Sequence, residues 1–96
     1  MANTAQLIEA ICKLIHTSQV PIPITLMNYD VEEVAAVIGG VVERCGRDRI
    51  ALKQVFIDSE LAAALGLSDG SVLEHGARPT IRYELGFGRQ VRFERD

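Results

Sequence analysis

Ninety-six residues of 10.5 kDa leave room for one domain, since domains usually run about 100–150 residues, and 48% hydrophobic content excludes a disordered chain. A net charge of −3 opposes the basic excess usual in nucleic-acid-binding domains, and three Phe, two Tyr and no Trp argue against a platform of stacked rings. A chain this small hides only roughly 60–65% of the surface it exposes when unfolded, so a mean hydropathy of +0.15 favours a partner surface.

Residues 4–17 are predicted to form an amphipathic helix capped by Asn3 or Thr4. Its apolar residues, Ala10, Leu14, Leu7, Ile11, Ile15, Ile8 and Cys12, span about 200°, twice the minimum stripe of a surface helix. One neighbour cannot usually bury so wide an arc, which marks Leu7, Ala10 and Leu14 as a candidate self-association surface. Prolines 21 and 23 hold the next residues extended, and 24–27 can continue as a strand. After a turn at 28–30, Asp30 with Glu33 resembles a capping box, and Val31, Val34, Val37, Ile38, Val41, Val42 and Cys45 share one helical face until Gly46. Gly39-Gly40 inside this helix reads as a site of close packing. Residues 50–57 are predicted as a strand that could lie parallel to 24–27, followed by a short helix at 60–65, capped by Asp58 or Ser59 and closed by Gly66.

The C-terminal stretch alternates most clearly. Ile81, Tyr83 and Leu85, then Val91 and Phe93, are separated by Gly86-Phe-Gly-Arg89 and predict an antiparallel hairpin over 80–95. Setting Leu85 against Val91 pairs Tyr83 with Phe93, Glu84 with Arg92 and Arg82 with Glu94, all compatible. Residues 78–96 carry five Arg against three acids, net +2, while the first 77 carry five basic and ten acidic, net −5. With Arg82 and Arg92 matched in the hairpin, Arg78, Arg89 and Arg95 remain as candidates for an anion or partner contact.

Residues 60–72 resemble the first helix and turn of a helix-turn-helix, with Ala62 at the small packing position, Gly66 in the turn and Leu61, Leu65, Leu67 and Val72 as core. The resemblance implies a second helix reaching residue 76, and the 80–95 hairpin would be the wing of a winged-helix DNA binder. The sequence departs from that pattern at His75, Gly76 and Pro79, and Asp69 and Glu74 would face phosphates. The other reading of 69–74 is a turn at Asp69-Gly70 leading into a strand, 71–74. Residues 85–93 are similar to the core strand of an RNA-recognition motif, but Arg89 and Gln90 replace its stacking and apolar residues.

Cys12 and His16 are four apart on one helix and could be joined by Cys45 or His75, yet no CxxC or HExxH supplies the remaining ligands of a zinc site. A buried thiol and a solvated imidazole are the expected outcome, with no cofactor or metal. The opening residues lack a basic signal-peptide start, and no apolar run reaches the ~20 residues of a membrane span, so a cytoplasmic, membrane-free setting is expected.

The reading is an α+β domain: two long amphipathic helices packed on a small mixed sheet that ends in a C-terminal antiparallel hairpin. Its expected role is non-catalytic binding, chiefly to itself as a homodimer, through the first helix or an open sheet edge. The alternatives are the winged-helix DNA binder and a small enzyme whose site forms only in three dimensions, for which a cleft gathering His75, Asp58 and an arginine would be the sign.

Overall fold

A computed structural model describes residues 4–18, 21, 23–67 and 80–96. Its elements follow the order α1 (Thr4–Thr17), β1 (Pro23–Thr25), α2 (Val31–Arg47), β2 (Leu52–Asp58), α3 (Ser59–Leu65), β3 (Thr80–Glu84) and β4 (Gln90–Arg95). The class is α+β, with the helices on one face of a four-stranded mixed sheet. The proposed strand at 71–74, the second helix of the helix-turn-helix, Asn3, His75 and Arg78 lie outside the described residues.

The capping box is present: Asp30 Oδ1 accepts from the Glu33 amide at 2.8 Å, and Glu33 Oε1 accepts from the Asp30 amide at 3.2 Å. Val34, Val37, Ile38, Val41 and Cys45 are buried along one side of α2, as their spacing predicts. Gly46 does not end this helix. The chain runs on to Arg47, and Arg49, at φ 60°, takes the left-handed position. The Gly40 hydrogen faces Ile8 of α1, and a Cβ there would overlap the Ile8 side chain, so the glycine admits the close helix contact. At the end of α3, Gly66 at φ 70° returns its N–H to the carbonyls of Ala62 and Ala63.

The strand order is β1-β4-β2-β3. β4 runs antiparallel to both neighbours, while β2 and β3 are parallel. β1 therefore points the same way as β2, as expected, but β4 lies between them. The C-terminal strands also form where predicted and run in opposite directions, yet they are not neighbours, because β2 is inserted between them. The expected two-stranded wing is accordingly absent.

The cause is the composition of β2. Val55 and Ile57 are buried to 2% exposure or less, and each needs a strand on both sides. Val55 is flanked by Ile81 and Phe93, and Ile57 by Tyr83 and Val91. Residues 85–89 span two strand spacings, roughly 10 Å, well within the reach of five residues. A bulge between Leu52 and Gln54 turns Leu52 to the same side as Val55, despite their odd spacing.

One hydrophobic cluster joins this inner face to Ile11, Cys12 and Ile15 of α1, the apolar side of α2, and Leu61 and Ala62 of α3. The opposite face carries Gln54, Phe56, Arg82, Glu84, Arg92 and Glu94 and has no helix over it among the described residues.

Candidate functional site

Asp58 sits where β2 becomes α3. Its side chain is 6% exposed, and both oxygens are used: Oδ1 accepts from the Leu61 amide at 2.7 Å and Oδ2 from the Gln90 amide at 2.6 Å. The first bond caps α3. The second ties in the start of β4, thirty-two residues on, a role with no local signal in the sequence.

The loop from β3 to β4 crosses this junction. The Gly86 amide donates to Ser59 Oγ at 3.1 Å, and Gly86 O accepts from the Ser59 hydroxyl at 3.1 Å and the Glu60 amide at 3.3 Å. These bonds fix the backbone of the loop but leave its large side chains in water. Leu85 is 94% exposed and Phe87 77%. Tyr83, at 45%, precedes them, so three of the five exposed large apolar side chains among the described residues fall within 83–87. Isolated exposed apolar residues are ordinary, but a cluster on fixed backbone has the character of a contact surface.

Beside the loop is a cleft of about 260 Å³, lined by Pro23, Phe56, Asp58, Leu85, Phe87 and Arg92 among others. Arg92 donates to Glu84 Oε1 at 2.8 Å and lies over the Phe56 ring, 4.3 Å from its centroid. The Glu84–Arg92 pair expected from a hairpin is thus made across β2 instead. Glu94 takes Gln54 (3.0 Å) and Lys53 (4.0 Å) as partners. The cleft does collect Asp58 with an arginine. Each Asp58 oxygen accepts a backbone amide and Glu84 is paired with Arg92, while His75 lies outside the described residues.

Of the arginines proposed as an anion contact, Arg78 lies outside the described residues, and Arg89 and Arg95 each serve a different part of the fold. Arg89, at φ 52°, donates to Tyr29 O at 2.6 Å, and its own carbonyl accepts from the Leu26 amide, pinning the turn after β1. Arg95 donates to Ile15 O at 3.3 Å, near the C-terminal end of α1. Six residues of extended chain separate the two by about 20 Å. On α1, Leu7 is partly buried against the core, Ala10 is exposed and Leu14 is 43% exposed.

A second cleft, of about 220 Å³, is lined by Glu9, Cys12, Lys13, His16, Thr17, Arg44 and Asp48. Its charges pair locally, Arg44 with Asp48 at 3.3 Å and Lys13 with Glu9 at 4.0 Å. Cys12 meets Cys45 of α2 through a thiol hydrogen bond, and both cysteines are buried and free. His16 is exposed, and among the described residues no group of three or more His, Cys, Asp or Glu could hold a metal ion.

Burial raises both thiols, Cys45 to about 12 from an ordinary 9.0. Because the folded state holds its protons above the pH at which the unfolded thiol ionises, this contribution is complete below pH 9 and is lost as pH rises from 9 to 12. We expect stability to fall across that window by up to about 1.4 kcal/mol per pH unit for Cys45, a slope that Cys45→Ala removes in urea titrations.

No helix among the described residues is long and apolar enough to cross a membrane. Compared with protein-family models, curated proteins and solved structures, the chain has no match.

Proposed function

We propose that this protein is a non-catalytic binding module that works by association, first of all with its own copy, and that residues 83–87 are its contact surface. The observation that carries the reading is the fixed loop with Leu85 and Phe87 almost wholly in water. Holding the backbone in advance reduces the ordering cost of binding, and aromatic and aliphatic anchors at the centre of an interface supply most of its energy. The cleft beside the loop, floored by Phe56 and Arg92, offers a partner both a ring and a guanidinium edge. On α1, by comparison, only Leu14 is a large and substantially exposed apolar side chain.

We place the protein in the cytoplasm. The support is two buried thiols, adjacent and unbridged, which suit a reducing compartment.

The test is the mass of Leu85→Asp/Phe87→Asp against the parent by light scattering at matched micromolar concentrations. Both positions are exposed, so the fold should persist, with unchanged circular dichroism, while association weakens by at least about tenfold. Equal masses for parent and variant would overturn the assignment of this surface.

A further inference from the structure

Cys12 of α1 and Cys45 of α2 are the two cysteines of the chain, and both are buried in its core with their thiols free. We infer that they form a dithiol site, closed to an intramolecular disulfide by hydrogen peroxide that reaches Cys12 through the cleft of about 220 Å³ between α1 and α2.

Helix packing brings the two sulfurs together. Ile8 rests against Gly40, where no Cβ holds the helices apart, and Cys12 and Cys45 follow about one turn further along α1 and α2. The Cys45 S–H donates to Cys12 Sγ, so the atoms that must bond already meet although they are far apart in sequence. A disulfide needs side chains that point at one another from closely packed elements, and a contact opened by a glycine provides them.

The two thiols are not equivalent. Cys12, 5% exposed, forms part of the cleft wall, whereas Cys45 is 1% exposed and takes no part in that wall. Burial and Asp48 oppose a thiolate at Cys12, but the Cys45 S–H and the Arg44 guanidinium favour one. Cys45, pushed up to about 12 chiefly by burial, stays a thiol until Cys12 has reacted. Cys12 is therefore the attacking sulfur and Cys45 the resolving one.

The reaction balances in two steps. The Cys12 thiolate attacks one peroxide oxygen, the O–O bond breaks, and the departing hydroxide leaves as water with the proton lost from Cys12, which is now a sulfenic acid. Cys45 sulfur then attacks Cys12 sulfur, the S–S bond forms, and the sulfenic hydroxyl leaves as a second water with the Cys45 proton. Two thiols and one peroxide give one disulfide and two waters. The bond would fasten α1 to α2, its main packing partner, and restrict the unfolded chain between them.

Peroxide treatment of the folded protein, followed by unfolding in a thiol alkylator and peptide mapping, tests the site. Closure should protect positions 12 and 45 together, join their peptides within one chain with the loss of two hydrogens, and reverse with dithiothreitol. Reading alkylation at the two positions separates this from oxygen gained at the exposed Met27. In Cys45→Ser, dimedone should trap the sulfenic acid at Cys12 at least about tenfold faster than it traps Cys45 in Cys12→Ser. Equal trapping would overturn the assignment of Cys12 as the attacking thiol. A peroxide-treated parent chain that keeps both thiols, carries sulfinic acid in place of the disulfide, or links cysteines only between chains would overturn the site itself.

Discussion

Phe93→Ala is expected to destabilise the fold by about 3–5 kcal/mol, a large share of the roughly 5–15 kcal/mol available to a domain of this size. Phe93 is 4% exposed at the middle of β4, opposite Val55 and within the single core cluster. Truncation removes an aromatic ring from a site that strands hold from both sides, leaving a cavity that can collapse only partly. The same substitution six residues earlier should behave differently. Phe87 projects into water, so Phe87→Ala should change the stability of the isolated subunit by no more than about 0.5 kcal/mol while weakening association. Urea titrations at one fixed, low protein concentration make the comparison, because subunit association would otherwise add to apparent stability. Equal destabilisation at the two positions would contradict the division of this segment into core and contact residues.

The second large effect is expected at Asp58. Asp58→Ala removes the N-cap of α3, worth about 0.5–2 kcal/mol, and orphans the Gln90 amide, a charge-assisted bond worth about 1.5–3 kcal/mol. Together they predict a loss of about 2–5 kcal/mol. Asp58→Asn should recover only one of the two bonds, since its amide nitrogen must face an N–H that already donates. Hydrogen exchange provides the local readout: the Leu61 and Gln90 amides should lose protection together in Asp58→Ala. Loss at Leu61 alone would show that the carboxylate is a helix cap and nothing more.

These two sites mark what could be read from the chain and what could not. The alternation of Ile81, Val91 and Phe93 placed them correctly on the buried face, and Asp30 with Glu33 announced the start of α2, because periodicity and capping are set by residues a few positions apart. The insertion of β2 between β3 and β4 had no such signal. Glu84 and Arg92 are complementary whether their strands touch or not, so the charge pattern fitted a direct hairpin equally well. What decided the order was the need of Val55 and Ile57 for neighbours on both sides, a demand that pairing β3 with β4 alone ignores. Nothing near Asp58 in sequence pointed to Gln90 either.

The candidate site was less legible still. Gly86-Phe-Gly88 was readable as a turn, but its attachment to Ser59, which keeps Leu85 and Phe87 in water, joins positions twenty-seven residues apart. Arg89 and Arg95 looked available because their acceptors are backbone carbonyls of other elements, Tyr29 and Ile15, which no charge count includes. The adjacency of Cys12 and Cys45 follows from the packing of α1 on α2 where Ile8 meets Gly40, a contact for which only the glycine pair gave a hint.

The central claim is that this chain acts by meeting a second copy through the exposed side chains of residues 83–87. Sedimentation equilibrium of the unaltered protein, across a dilution series from high to low micromolar, tests it most directly. A mass approaching twice 10.5 kDa, falling reversibly toward that of one subunit on dilution, is the predicted result. A mass of one subunit at every concentration would contradict it.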